Sequence, residues 1–186
     1  MAFSGTRLSY STTATLLSSS AALAAIPHLT TLLGAAEIKQ QRWPFGTTEA
    51  DAVLAWGRKP SAIKAGQLAS RLKLPLLRLE DGFLRSVGLG SQTPPLSVVR
   101  DDVGIYYDAS APSRLEQLIS QVLTAEQQLR AQQLIAKWQQ LEVSKYNHSA
   151  DYTVSHDKPY VLVVDQTYGD AAIAFGQASA ASFSSA

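Results

Sequence analysis

The sequence predicts an α/β fold built on a parallel sheet with flanking helices, and two observations carry that reading. First, three short apolar runs are continuous rather than alternating, as suits strands covered on both faces. Second, a helical pattern with a legible start separates the first two runs. Strand, helix and strand then follow within about thirty residues, the span of a βαβ unit. With 186 residues, the chain is long enough for one domain with a proper core and too short for two large ones.

The elements follow in order. Residues 14–25 are rich in Ala, Ser and Thr, with Arg7 upstream. They loosely resemble a secretory signal, but the single upstream arginine and three interrupting serines argue against one. The stretch is also well short of the roughly 20 apolar residues of a membrane-spanning helix. The alternative is a lead into a helix through Leu23, Ile26, Leu29, Leu32 and Leu33. The first predicted strand is Ala52, Val53, Leu54, Ala55 and Trp56, followed by Gly57-Arg58-Lys59-Pro60. Ser61 is positioned to cap a helix from Ala62 to Arg71, with Ile63, Leu68 and Leu72 turned inward. The second strand spans Leu74 to Leu79 and ends on Glu80-Asp81-Gly82. Residues 94–108 read as an extended pair joined by a turn at Asp101-Asp102-Val103-Gly104. Residues 114–142 read as two helices broken near Leu123, with Thr124 and Gln127 forming a capping box. Leu134, Ile135, Trp138 and Leu141 recur at helical spacing and read as a core stripe. The third strand is Tyr160, Val161, Leu162, Val163 and Val164, leading to Asp165 and Asp170.

Composition excludes several functions. The chain is 46% hydrophobic and 17% charged, ordinary values for a soluble globular protein. A net charge of +1, with Arg58-Lys59 the longest basic run, does not suit a nucleic-acid binder. The absence of cysteine excludes disulfides and thiolate metal sites. His28, His148 and His156 lack the short spacings of a zinc site, so no metal is expected.

In an open α/β sheet, ligands collect beyond the carboxyl ends of the strands. All three predicted strands deliver polar groups there: Arg58 and Lys59, then Glu80 and Asp81, then Asp165 and Asp170. Adjacent carboxylates repel, so one of Glu80 and Asp81 can hold a raised pKa and carry a proton. Gly82 would let the backbone turn tightly or approach a ligand. The bland alternative is an acidic turn closing a strand. Asp165 and Asp170 have a similar alternative as turn or helix N-cap residues. Lys145 either offsets a helix dipole or holds an anionic sugar or phosphate. Tyr106-Tyr107-Asp108 either stack a sugar ring and bond its hydroxyls or place buried tyrosines at a strand end.

Taken together, these blocks resemble the β-Kdo glycosyltransferases of capsule biosynthesis, the capsule polysaccharide biosynthesis proteins. The resemblance runs through Ile26-Pro27-His28-Leu29, Trp56-Gly57-Arg58-Lys59-Pro60-Ser61 and Leu79-Glu80-Asp81-Gly82-Phe83-Leu84-Arg85-Ser86. It continues through Pro94-Pro95-Leu96-Ser97, Gly104-Ile105-Tyr106-Tyr107-Asp108, Ser144-Lys145-Tyr146-Asn147 and residues 161–167 to Asp170. It implies a Rossmann-like domain, the N-terminal half of a two-Rossmann-domain, GT-B-like module. The implied organisation is a poorly defined lead at 1–25, an acceptor-side domain at 26–160 and the start of a second domain at 161–186.

The implied activity is retaining transfer of Kdo, an acidic eight-carbon ketose, from CMP-Kdo to a phosphatidylglycerol-based glycolipid. The implied location is the cytoplasmic face of the inner membrane, as a peripheral protein, with capsule assembly and export proteins as partners. No cofactor is expected beyond the donor substrate. By the family pattern, Asp170 matches a carboxylate nucleophile, and Glu80 and Asp81 match acid/base groups. Arg58, Arg85, Lys145 and Asn147 are the candidate substrate-binding residues. Family members continue into a His-Pro motif that grips the nucleotide, and this sequence has no His-Pro pair. The expectation is therefore an incomplete module, inactive alone, whose donor-binding domain lies elsewhere. The competing readings are a non-catalytic glycolipid-binding or export domain, and a sialyltransferase-like enzyme using another CMP-activated acidic sugar.

Overall fold

The computed structural model describes residues 13–41, 49–90, 92–150, 155, 158–164 and 166–184. Asp165, His156 and residues 1–12 of the expected lead lie outside the described residues. At the centre is a sheet of β1 (Thr15–Ser18), β2 (Glu37–Gln40), β3 (Ala52–Trp56), β4 (Leu76–Asp81) and β5 (Val98–Asp101), in the order β2-β1-β3-β4-β5. β1 is parallel to β2 and to β3, and β3 is parallel to β4, while β5 joins antiparallel. The fold is thus α/β and Rossmann-like, as the apolar runs predict.

The first two runs are continuous because the sheet is covered on both faces. Successive strand residues point to opposite sides. Leu16, Ala52, Leu54, Leu77 and Leu79 pack with Leu23, Leu29 and Leu33 on one face, under the short helices α1 (Ala21–Ala24) and α2 (Leu29–Leu33). Leu17, Val53 and Ala55 pack on the other, under Ala62, Ala65, Leu68 and Ala69 of α3 (Pro60–Leu72). The β3-α3-β4 unit is the predicted βαβ. Its helix begins one residue before the expected Ser61 cap, with Pro60 in the first turn and no side-chain cap. Proline suits that place because its missing N–H would be unpaired there anyway. Ile63, expected inward, is 67% exposed.

Four further expectations are corrected. Residues 15–18 form an inner strand rather than part of a lead, and Leu16 and Leu17 are fully buried. Four residues give too short an apolar run for periodicity to distinguish a strand from a helix lead. The turn at Asp101 is present: Asp101 Oδ1 accepts from the Val103 and Gly104 amides at 2.8 and 2.7 Å. However, β5 pairs with β4 rather than with residues 104–108, which form turns. Downstream, α4 (Arg114–Ile119) and α5 (Ala125–Leu141) are the expected pair of helices, and the Thr124–Gln127 capping box is formed. Yet α5 buries none of its residues, and Leu134, Ile135, Trp138 and Leu141 are 41–65% exposed, so their stripe is not core among the described residues. Residues 160–164 are likewise exposed and join no described strand. Two short helices follow, α6 (Ala171–Phe175) and α7 (Ala180–Ser184).

Candidate active-site cleft

The strand order reverses direction between β1 and β3, because the chain moves from β1 outward to β2 and then crosses back to β3. Beyond the carboxyl ends at such a switch, the connecting loops diverge and leave a crevice. Here it is an open cleft of about 1260 Å³, lined by Ser20 after β1, Trp56 at the end of β3 with Arg58 and Lys59 beyond it, and Glu80 and Asp81 at the end of β4. Arg85, Tyr106, Tyr107 and Lys145 continue the wall, and Gln166 and Asp170 approach from the C-terminal segment.

Glu80 and Asp81 are neighbours with different surroundings. They are the last two residues of β4, paired with Val99 and Val98, so the sheet sends their side chains to opposite sides. Glu80 Oε1 accepts from Trp56 Nε1 at 3.0 Å and from the Asp81 amide at 3.1 Å. Burial, reinforced by the charge of Asp81, pushes the Glu80 pKa above the usual carboxylate value. Asp81 Oδ1 instead sits 2.7 Å from Arg85 Nε, an ion pair set off the line of a straight hydrogen bond.

Tyr107 links the two strand ends. Its hydroxyl accepts from the Arg58 amide at 2.8 Å and lies beside the Glu80 carboxylate over Gly57. Burial pushes its pKa up to about 12, so it stays a neutral donor. This crossing explains Gly57, which has φ +44°. A Cβ there would lie 2.2 Å from the Tyr107 hydroxyl and 2.6 Å from Glu80 Oε2. Gly82 answers a similar constraint, since its Cβ would lie 1.9 Å from Ser97 Oγ. Tyr106 has its pKa raised by burial and then by Glu80, Asp81 and Asp170 in turn, which puts its hydroxyl within the field of all three carboxylates.

Asp170 is the N-cap of α6, its Oδ1 accepting from the Ala172 amide at 2.8 Å. Its Oδ2 accepts from Gln166 Nε2 at 3.0 Å, and the residue is exposed to the cleft. Capping and cleft-lining roles therefore coexist in one side chain. Among the described residues, no group of three or more His, Cys, Asp or Glu side chains is placed to hold a metal ion.

The sequence model of the capsule polysaccharide biosynthesis protein family matches residues 51–154, more than half of the chain and most of the cleft wall. This chain belongs to that family. Capsule polysaccharide modification protein LipA of Neisseria meningitidis serogroup B is 46% identical over 167 residues, covering 85% of this chain. Lipopolysaccharide-processing protein LpsZ of Rhizobium meliloti is 41% identical over 137 residues, covering 69% of this chain and 31% of its own length. The chain spans only 23% of the LipA length. Among solved structures, the β-Kdo 2,4 transferase of Thermosulfurimonas dismutans KpsC is similar with a TM-score of 0.80 and 40% identity, over 92% of this chain and 54% of that one. The β-Kdo 2,7 transferase of the same KpsC gives 0.57 and 25%, over 87% and 51%.

Within this capsule-family cleft, the expected binding residues separate. Lys145 lines it and is exposed, with Nζ 5.7 Å from the Tyr146 ring. Arg85 borders it but is 5% exposed. Besides the Asp81 pair, its guanidinium donates to Ser86 Oγ, Thr93 O and Gly90 O at 2.9, 2.7 and 3.2 Å, which holds the loop after β4. Arg58 reaches the cleft wall with its fork spent on Asp108. Asn147 does not line the cleft. Its side chain closes the 144–147 turn, accepting from the Ser144 amide at 2.8 Å and donating to Ser144 O at 2.9 Å. Trp56 was not singled out from sequence as a site residue, and Asp108 was read with Tyr106 and Tyr107 as a candidate sugar-binding group rather than as the partner of Arg58. Trp56 was traceable, since it ends a predicted strand beside the one that ends in Glu80. The pairing of Asp108 with Arg58 left no such signal, because the two lie fifty positions apart.

Proposed function

We propose that this cleft performs retaining β-Kdo transfer from CMP-Kdo to a phosphatidylglycerol-linked glycolipid in capsule polysaccharide biosynthesis. The observation that carries the reading is that Glu80, Asp81 and Asp170, contributed by separate parts of the chain, open on one cleft at the sheet's switch point. The likeness to the KpsC β-Kdo transferase structures supports it.

In this reading, an Asp170 oxygen forms a bond to the anomeric carbon while the bond to the CMP phosphate oxygen breaks, and its electron pair leaves with CMP. A glycolipid hydroxyl then displaces Asp170 and gives its proton to Glu80, the division of labour of a retaining glycosidase. A carboxylate whose pKa burial has raised is suited to accept that proton, help worth roughly 10²–10⁴ in rate. Asp81, paired with Arg85, holds the loop and adds negative charge beside the reacting centre. Lys145, with Lys59 also lining the cleft, is assigned to the sugar carboxylate. The chemistry calls for no cofactor.

The relatives are longer than this chain, and we assign the nucleotide to a second domain outside these 186 residues. Among the described residues, no helix is long and apolar enough to cross a membrane. We place the protein peripherally at the cytoplasmic face of the inner membrane, working with capsule assembly and export proteins. The test is Asp170→Ala in the intact enzyme. Transfer should fall to background while the circular dichroism and melting curve stay near those of the parent. Near-normal transfer would remove Asp170 as nucleophile. Turnover of CMP-Kdo by the 186-residue chain alone would overturn the assignment of the nucleotide elsewhere.

A further inference from the structure

We infer that Arg58, Asp108 and Phe175 form a latch that holds α6, and with it Asp170, against the strand rim that carries Glu80. The contacts converge from three parts of the chain. Arg58 follows β3, and its Nε and terminal Nη2 both engage Asp108 Oδ2. The Asp108 side chain is 2% exposed, and its Oδ1 receives the Ser110 amide and hydroxyl, so the acceptor is fixed from both ends. The Arg58 guanidinium carbon lies 5.1 Å from the centroid of the Phe175 ring. The Tyr107 ring meets the same phenyl group at 6.5 Å. The Phe175 carbonyl then accepts from the Ala109 amide at 2.9 Å. A cation–π contact, a tilted aromatic pair and a backbone hydrogen bond thus grip one residue.

Phe175 is the last residue of α6, and Asp170 is its N-cap. A five-residue helix is far below the length at which a helix holds itself together, so its contacts set its place. Fixing Phe175 fixes Asp170 one helix length away. Tyr107 completes the geometry, because the tyrosine that meets Phe175 also carries its hydroxyl beside the Glu80 carboxylate over Gly57. The two carboxylates therefore share a common support. A guanidinium already committed to a buried carboxylate and an aromatic face is poorly placed to receive the substrate's carboxylate. Arg58 is thus a positioning residue rather than a substrate ligand.

The catalytic consequence rests on Asp170 being the nucleophile; the latch itself does not. Hydrogen exchange on the 186-residue chain tests the latch directly. In α6 and its end, the amides of Gly176, Gln177 and Ala178 donate to Ala172, Ala174 and Ile173 carbonyls. Asp108→Asn and the milder Phe175→Leu should each speed exchange there by about tenfold, with β3 amides unchanged. Unchanged exchange at 176–178 in a folded Phe175→Leu chain overturns the latch.

In the intact enzyme, Arg58→Lys keeps the charge and loses the fork. It should lower kcat about tenfold or more with the donor KM within about twofold, as displacement of a reacting group does. Exchanging the partners, Arg58→Asp with Asp108→Arg, should recover part of kcat. A raised KM with unchanged kcat would make Arg58 a substrate ligand and overturn its positioning role. If the parent enzyme shows no Kdo transfer, the functional reading fails and the exchange measurement alone decides the latch.

Discussion

The sheet and helix α5 both carry apolar residues at regular spacing, and only the sheet buries them. Leu54, Leu77 and Leu79 are at most 1% exposed, whereas Leu134, Ile135 and Leu141 are each more than half exposed. The difference is in what lies opposite. Each sheet face has helices packed on it, while no described element covers the apolar stripe of α5. Periodicity identifies the element and the face it would bury; burial also needs a covering layer. The catalytic candidates follow the same rule. Glu80 gains an altered pKa from being buried at a strand end, and Asp170, on the exposed segment, depends on capping and side-chain contacts for its position.

The contrast can be broken most sharply at Gly57. Gly57→Ala places a Cβ on the Tyr107 hydroxyl in a left-handed backbone, and should cost about 3 kcal/mol or more in urea unfolding. A parent-like midpoint would show that the rim is looser than its contacts imply. Next, Leu79→Ala should cost about 2–5 kcal/mol, because the site is enclosed by both β-neighbours and helices.

A smaller, pH-dependent effect is expected at Glu80. Its folded pKa is raised, so the folded state binds the proton more tightly than the unfolded chain. The associated stability is complete below the unfolded value of 4.5 and is lost as pH rises through the folded value. Glu80→Gln should therefore melt increasingly above the parent as pH rises from that acid range toward neutrality. A gap that does not change with pH would mean that Glu80 is not buried as described. Smallest of all, Leu134→Ser on α5 should shift stability by no more than about 0.5 kcal/mol. A loss comparable to Leu79→Ala would reveal a covering layer over that helix.

Much of the site was legible from particular residues. The ends of the first two apolar runs correctly placed Arg58, Lys59, Glu80 and Asp81 on one rim, because a parallel βαβ unit leaves little freedom in where strand ends emerge. The ordered motifs led to the capsule family, which the match over 51–154 shows. β1 and β2 were missed because four-residue strands carry no readable period. Arg58 and Arg85 are engaged with Asp108 and Asp81, which was not legible because a sequence shows a charge and hides its partner. Asn147 is likewise engaged in its own turn, a pairing that the sequence does not display.

The sequence by itself determined the α/β class, the βαβ unit, the capping box of α5 and the family, because each rests on local pattern or ordered motifs. Only the tertiary structure decided which apolar faces are covered, which charges are already paired, and that Gly57 must lack a side chain where Tyr107 crosses to Glu80. Those outcomes depend on contacts between residues far apart in the chain, such as Arg58 with Asp108 and Trp56 with Glu80. Local periodicity carries no record of such contacts, since their energies arise only when separate strand ends are brought to one edge.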